Sequence, residues 1–183
     1  MKMKVFVETE RLILRELVDK DASAIFELDS DPLVHTYLGN NPMQTMKQSK
    51  EVIEFVRKQY SENGIGRWAT IEKESGDFIG WTGLKVEDKL TNGHVNYNDL
   101  GFRFKPKYWG KGYATESAIA CLDYGFDVLG WEKIYGAADV DNLGSNGVFR
   151  KLNFSLINTF HYDNIKCNWY EMIKKDWSRM NLD

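Results

Sequence analysis

Residues 108–117, YWGKGYATES, place two glycines around one lysine, directly before a segment that is predicted to be helical. Ser, Thr, Asp or Asn usually stands at a helix N-terminus, because its side chain accepts a hydrogen bond from a free backbone N–H group. Gly112 has no such side chain. The first N–H groups of the helix are therefore free to bind a phosphate group, and glycine removes the Cβ atom that would keep it away. The stretch predicts a diphosphate-binding loop.

The spacing of the glycines separates this loop from two common nucleotide motifs. A P-loop has four residues between its glycines and then Lys and Ser or Thr. Here Lys111 alone lies between Gly110 and Gly112. A Rossmann fingerprint needs a third glycine where this chain has Thr115. A tight turn without a ligand is the alternative interpretation of a glycine pair, so the rest of the chain has to decide.

Composition and charge argue against several classes of protein. The chain has 183 residues, 43% of them hydrophobic, which predicts one globular domain over residues 1–183. Its 24 basic and 27 acidic residues are well mixed and give a net charge of −3, so we expect no nucleic-acid partner. No apolar run or N-terminal leader indicates a membrane or secretory protein. Cys121 and Cys167 lack metal-ligand spacing, and a reduced, cytoplasmic protein without a metal is expected.

Hydrophobic periodicity predicts the element order βααβββαβαββ, an α/β domain with a mixed sheet. The expected strands cover 11–17, 67–73, 78–85, 94–104 and 133–140, followed by a hairpin over 154–173. The expected helices cover 19–30, 45–60, 113–129 and 144–152. The helix over 113–129 has the clearest apolar stripe, formed by Ala114, Ala118, Leu122, Phe126 and Leu129. Gly130 is placed to end it in the left-handed conformation.

Residues 107–114, KYWGKGYA, resemble the pyrophosphate-binding loop of the GNAT N-acetyltransferase superfamily, R/Q-x-x-G-x-G/A, with Lys107 in place of Arg or Gln. Further segments resemble the branch of the ribosomal-protein N-terminal (Rim-type) acetyltransferases, in the order of that branch. They are ETERLILREL, DFIGWTGL, DLGFRF, DNLGSNGVFRKLNF and WYEMIKKDW. The resemblance implies a mixed, mostly antiparallel sheet of about seven strands that is splayed in the middle. It also implies acetyl-CoA as the co-substrate, with no metal.

The resemblance further implies which residues hold the coenzyme. Its pantetheine arm would lie between the strands 96–104 and 133–140 and pair with backbone groups of Phe102 and Phe104, as an added strand does. Asn142 matches an asparagine that contacts the coenzyme in the family, and a helix cap is a compatible second role. The residues expected to hold the diphosphate are Trp109, Gly110, Lys111, Gly112, Tyr113, Ala114 and Thr115.

Two departures from the family pattern affect the predicted chemistry. Many members place a tyrosine where this chain has Phe149, as the acid that protonates the departing thiolate. In the Rim-type branch a serine takes over, and Ser145 matches it. Asn153 stands where the family usually has glycine, and asparagine is a tolerated residue for left-handed backbone.

The base that removes the proton from the amine is expected to be Asp99, which matches a position where the family often carries Glu. A water chain is the alternative. His94 and His161 are chemically suitable, but an ordinary strand position is the better interpretation of each, and the histidine spacing indicates no zinc site.

The acceptor is expected to be a primary amine, in particular the α-amino group of a protein or peptide N-terminus. It would enter opposite the coenzyme, between residues 31–60 and the final hairpin around Asp163, with Trp68 and Trp81 as candidate lining residues. An enzyme for a small amine or free amino acid, and a non-catalytic acyl-CoA-binding domain, are the alternatives. Either a monomer or a homodimer fits the sequence.

Overall fold

A mixed sheet of eight strands forms the centre of the structure, a computed structural model that describes residues 3–177. The strands in chain order are β1 (Val5–Glu8), β2 (Leu12–Glu16), β3 (Arg67–Glu72), β4 (Phe78–Glu87), β5 (Tyr97–Phe104), β6 (Lys133–Asp139), β7 (Ser155–Tyr162) and β8 (Ile165–Ile173). Their order across the sheet is β1-β2-β3-β4-β5-β6-β8-β7. The β5–β6 pair is parallel, and the other neighbouring strands are antiparallel.

Helices cover both faces of the sheet. They are α1 (Ala22–Asp29), α2 (Pro32–His35), α3 (Met46–Asn63), α4 (Tyr113–Asp123) and α5 (Leu143–Lys151). The consecutive residues Trp68 and Ala69 on β3 point to opposite faces. Trp68 belongs to the apolar cluster that includes α4, whereas Ala69 belongs to the cluster of α1 and α3. Among residues 3–177, no helix is long and apolar enough to cross a membrane.

Helix α4 confirms the apolar stripe expected from the sequence. Ala118 and Leu122 are fully buried, and Phe126 is almost so. After Asp123 the chain continues as a π-helical turn over Tyr124–Val128, which the 3.6-residue period of the pattern did not predict. Gly130 then adopts a φ of 69°, the left-handed conformation expected at this helix end.

The fold class predicted from the sequence is confirmed, with one more strand than the seven expected. The additional strand β1 has four residues and pairs with β2 at the edge of the sheet. Its sequence VFVE is too short to show a clear period-two pattern. Pairing with β2 and the packing of Phe6 on Trp68, with ring centroids 4.8 Å apart, stabilise it. The four-residue helix α2 is the other addition, with Asp31 accepting a hydrogen bond from the Leu33 N–H.

Candidate active site

Strands β5 and β6 separate at the centre of the sheet. Their parallel pairing has one pair of Cα partners, Asp99 and Tyr135, whereas β4 and β5 are paired from Gly80–Phe104 to Glu87–Tyr97. Beyond Asp99, the side of β5 that faces β6 is therefore free of ladder pairing, and β6 pairs with β8 instead. The resulting V-shaped opening is where the sequence analysis expected the pantetheine arm.

The chain leaves β5 at the wide end of this opening and forms the predicted diphosphate loop. A 3₁₀ turn over Pro106–Tyr108 is followed by Trp109 in an extended conformation, and then by Gly110 and Gly112 with φ angles of 74° and 83°. Gly112 is the N-cap residue of α4, and no side chain accepts a hydrogen bond there. Within residues 3–177, Gly110, Lys111 and Gly112 donate no backbone N–H to a carbonyl. The helix terminus is thus uncapped, as the sequence predicted.

Glycine suits both loop positions for two reasons: its backbone adopts positive φ angles easily, and it has no Cβ atom to block a ligand. A Cβ atom on Gly110 would meet no atom within 4 Å, so this glycine is exposed to solvent. Both positions lie in the left-handed region, which a residue with a side chain adopts at a cost of about 1–2 kcal/mol. The loop can therefore keep its shape while its N–H groups stay accessible to a phosphate.

The other residues that are predicted to bind the coenzyme differ in burial and in hydrogen bonding. The Trp109 indole N–H donates to the Phe104 carbonyl at 2.7 Å, so one lone pair of that carbonyl is already used. The side chains of Tyr113 and Thr115 are buried. Their backbone N–H groups, with that of the half-buried Ala114, are what the first turn of α4 can offer a ligand.

Helix α5 begins beside β6 and carries Asn142 and Ser145. The Asn142 Oδ1 accepts a hydrogen bond from the Ser145 N–H at 3.0 Å, so Asn142 caps the helix. Ser145 lies in the first turn and is half-buried. Its hydroxyl has no hydrogen-bond partner among the described residues, and it is free to donate to a ligand.

Phe149, which stands where many family members have a tyrosine, is buried in the core. Its ring stacks on Tyr170 with centroids 4.7 Å apart and lies 5.6 Å from the ring of Phe102. A Cβ atom on Gly136 would come within 2.4 Å of the Phe149 ring. The Tyr170 hydroxyl donates to the Asn146 Oδ1 at 2.7 Å. Phe149 is therefore a packing residue, and the hydroxyl stacked behind it is engaged in the interior.

Asp99 lies at the point where β5 and β6 separate, and it forms an ion pair with Arg67. The side chains of both residues are mostly buried. The Arg67 Nη1 also donates to the Asp99 carbonyl at 2.9 Å and to the Gly83 carbonyl. Arg67 therefore fixes both the carboxylate and the backbone of Asp99. One carboxylate oxygen takes part in the ion pair, and the other is available to accept a proton.

The two neighbouring carboxylates on this face are also paired. Lys85, the cross-strand partner of Asp99, forms an ion pair with Glu87. Glu171, the cross-strand partner of Tyr135, forms one with Lys133 at 3.1 Å. The face around the separation point is therefore close to neutral.

Aromatic side chains extend this face toward β8. The ring of His94 stacks on Trp169 at 5.4 Å, and Tyr97 and Tyr135 pack on the same indole. Burial raises the pKa of Tyr97 to about 12. Burial, together with a hydrogen bond to Glu171, raises the pKa of Tyr135 to about 12 as well. Both phenols stay protonated at neutral pH and cannot act as bases there.

The two tryptophans expected to line the acceptor side lie on opposite faces. Trp81 is partly exposed, with the guanidinium groups of Arg67 and Arg103 at 5.5 and 5.1 Å from its ring centroid. Trp68 is fully buried and stacks on Phe6 at 4.8 Å, so its assignment to the acceptor side is wrong. Strand alternation, which sends adjacent side chains to opposite faces, explains the difference.

The segment after α2 and the final hairpin approach each other across this face. A Cβ atom on Gly39 would lie 3.6 Å from the Ile165 Cδ1 at the start of β8. The acceptor was expected to enter between these two segments. Among residues 3–177, no cluster of His, Cys, Asp and Glu side chains could hold a metal ion.

Two site residues were missed by the sequence analysis. Arg67 and Arg11 contact the predicted site residues Asp99 and Lys111, yet both precede them by many positions in the chain. A single arginine has no local spacing signal, so only the folded structure reveals these contacts.

The comparisons with known proteins agree with this geometry. The family model described as "Acetyltransferase (GNAT) domain" matches residues 11–155. The chain belongs to the GNAT acetyltransferase family. Acetyl-CoA is accordingly its co-substrate, and it acts as an acetyl-CoA-dependent N-acetyltransferase. The chain is similar to the uncharacterized N-acetyltransferase YoaA of Bacillus subtilis, with 30% identity over 92% of this chain and 96% of that protein.

A second relative, spermidine N(1)-acetyltransferase of Escherichia coli, is 29% identical over 78% of this chain and 72% of that protein. Two solved structures share the fold at lower identity. The ribosomal-protein-S5-alanine acetyltransferase of Vibrio fischeri has a TM-score of 0.75 and 18% identity, covering 96% of this chain and 100% of that one. The spermidine N-acetyltransferase of Vibrio cholerae, in complex with CoA and spermine, has a TM-score of 0.73 and 19% identity, covering 92% and 98%.

Proposed function

We propose that this enzyme acetylates the α-amino group of a protein or peptide N-terminus, with acetyl-CoA bound in the V-shaped opening between β5 and β6. The observation that supports the coenzyme position is the opening itself, with the uncapped terminus of α4 at its wide end. Within the predicted segment Trp109–Thr115, the backbone N–H groups from Gly110 onward would donate to the diphosphate, because the Trp109 N–H already donates to the Pro106 carbonyl at 3.0 Å. The pantetheine arm would run along Phe102 and Phe104. Asn142 would contact the coenzyme from α5.

The proposed reaction is a direct attack on the thioester. The amine nitrogen bonds to the carbonyl carbon, the carbon–sulfur bond breaks, and the amine loses a proton. Asp99 would accept this proton, directly or through water, because its second carboxylate oxygen is free. The Ser145 hydroxyl would donate a hydrogen bond to the departing thiolate. Such help suffices because a thiol with a pKa of about 8.5 is a good leaving group.

The charge pairing on the acceptor face supports an α-amine. Asp99, Glu87 and Glu171 each have a cationic partner, so none of these three carboxylates is free to hold a polycation. An α-amino group has a pKa of about 8 and is partly neutral at pH 7, whereas a lysine amine near 10.4 is almost wholly protonated. A site with one ion-paired carboxylate as its base therefore suits the α-amine better.

The Rim-type resemblance supports the same proposal. The sequence motifs follow the order of that branch, and a structural neighbour is a ribosomal-protein-S5-alanine acetyltransferase. A small amine is the second candidate, because a relative and a structural neighbour are spermidine acetyltransferases.

A competition assay tests the acceptor. Two peptides of the same sequence, one with a free and one with a blocked N-terminus, each carry one internal lysine, and spermidine and free alanine complete the panel. We expect release of CoA thiol with the free peptide, and mass spectrometry should locate the acetyl group on its first residue. Acetylation mainly on lysine, on spermidine or on alanine would overturn the proposed acceptor while leaving the acetyltransferase activity intact.

A further inference from the structure

Arg11 connects the first turn of α4 to the predicted diphosphate loop. Its Nε and Nη2 contact the Glu116 Oε2 at 2.7 and 2.6 Å, and its Nη1 donates to the Lys111 carbonyl at 3.0 Å. Its guanidinium carbon lies 4.4 Å from the centroid of the Tyr113 ring. One side chain from the start of β2 thus holds three residues of the site region.

Glu116 anchors this arrangement. Its Oε1 accepts hydrogen bonds from the Thr9 hydroxyl at 2.6 Å and from the Arg11 backbone N–H at 3.0 Å. The carboxylate is therefore bound from the backbone and the side chain of Arg11 and from Thr9 at once. Such charge-assisted hydrogen bonds from several directions fix the position of the guanidinium.

The Lys111 carbonyl shares a planar peptide unit with the Gly112 N–H. In a trans peptide these two groups point in opposite directions. Because Arg11 holds the carbonyl on its own side, the Gly112 N–H must point away from Arg11. Gly110 and Gly112 would otherwise let this peptide rotate, since glycine adopts many backbone conformations at little cost.

We infer that Arg11 is a positioning residue that keeps the Gly112 N–H directed at the coenzyme diphosphate. The inference rests on the proposed position of acetyl-CoA. In this role, Arg11 acts through its hydrogen bond to the Lys111 carbonyl and not through its positive charge near the diphosphate. Lysine would keep the charge, but it has no planar fork with which to hold Glu116 and the Lys111 carbonyl together.

The test compares Arg11→Met, Arg11→Lys and a matched control. Arg57 also donates to a backbone carbonyl, that of Leu17 at 3.1 Å, and it lies on α3, so Arg57→Met serves as the control. Dissociation constants for CoA and for pantetheine, which lacks the diphosphate, are measured by NMR titration of the ¹⁵N-labelled proteins. Backbone amide signals of Gly64 and Gly76, in distant turns, serve as internal references.

We expect Arg11→Met to weaken CoA binding about tenfold, as for the loss of a charged hydrogen bond, and to leave pantetheine binding within about twofold of the wild type. Arg11→Lys should lose nearly as much, and Arg57→Met nothing. In the ligand-free Arg11 variants, the Gly112 amide signal should shift or broaden, while those of Gly64 and Gly76 stay in place.

Four outcomes would count against the inference, and a fifth would count against the proposed position of the diphosphate. Unchanged CoA affinity in Arg11→Met, or an unchanged Gly112 signal in it, would overturn the role of Arg11. Full affinity in Arg11→Lys would assign the effect to charge. An equal loss for CoA and pantetheine would mean a general disturbance of the fold. If wild-type protein bound CoA no more tightly than pantetheine, the proposed position of the diphosphate would itself be wrong.

Discussion

The loop before α4 and the face around Asp99 are two halves of one site, and they are built in different ways. The loop is continuous in sequence and presents backbone N–H groups from Gly110 onward. The face takes its charges from β3, β4, β5, β6 and β8, and its carboxylates Asp99, Glu87 and Glu171 are each bound to a basic side chain. Backbone recognition depends on local conformation, whereas side-chain recognition depends on which strands become neighbours.

This difference has a consequence for substitutions. In the loop, a new side chain acts by occupying the place of the ligand, and the fold loses little because Gly110 and Gly112 are exposed. On the face, removing one member of a mostly buried pair such as Arg67–Asp99 leaves a charge without its partner. Binding and stability should therefore separate in the first region and change together in the second.

The strongest test of this contrast is Gly112→Glu. We expect acetyl-CoA binding to weaken about a thousandfold, because a carboxylate beside a diphosphate costs several kcal/mol, at about 1.4 kcal/mol per factor of ten. Gly76→Glu is the matched control, since Gly76 has a φ of 73° and open space around it in a distant turn. Isothermal calorimetry should show full affinity in the control, and thermal unfolding should show a lower Tm in both variants, since each places a side chain in the left-handed region. Unchanged affinity in folded Gly112→Glu would contradict the loop assignment.

Asp99→Asn tests the face. We expect kcat at pH 7 to fall about a hundredfold, as for the loss of a general base, and the pH–rate profile to move upward, because more of the amine is neutral at higher pH. Glu87→Gln, which removes the carboxylate paired with Lys85, should leave the profile in place. Thermal unfolding should show a lower Tm for Asp99→Asn, since Arg67 loses its partner. An unmoved profile would assign the proton to a water chain.

Ser145→Ala should have a smaller effect. We expect kcat to fall about tenfold with little change in the KM for acetyl-CoA, because the hydrogen bond strengthens as the thiolate forms. Ser155→Ala, at an exposed position on β7, is the control and should match the wild type. If Phe149→Ala lowered kcat far more than Ser145→Ala, the serine would have to be treated as part of the helix cap only.

His35 provides the smallest expected effect, and it lies on the acceptor side. Burial, and next the nearby charge of Arg103, lowers the pKa of His35 below its ordinary value. The folded state therefore favours the neutral ring. Its contribution to stability is complete above about pH 6.5 and is lost as the pH falls toward the folded pKa. Chemical denaturation of His35→Gln should show a shallower loss of stability below that pH, whereas His161→Gln, at an exposed position, should keep the wild-type slope.

Much of the fold could be predicted because its signals are local. The apolar stripe of α4, the left-handed Gly130 and the left-handed Asn153, with a φ of 59°, all follow from residue type and spacing. β1 escaped prediction because four residues carry too little pattern and need β2 to become a strand. The Trp68 assignment failed because Trp81 pairs with Ala69, and the neighbouring residue Trp68 therefore points to the opposite face.

Residues that are close in the chain were enough to predict the family, the uncapped helix and the glycine loop. The contact of Arg67 with Asp99 and that of Arg11 with the Lys111 carbonyl are visible in the three-dimensional fold alone. The same is true of the ion pairs formed by Asp99, Glu87 and Glu171. Local conformation is fixed by the steric and hydrogen-bonding preferences of neighbouring residues. These contacts instead depend on which strands and loops become neighbours in the fold, which brings together residues that are 32 and 100 positions apart.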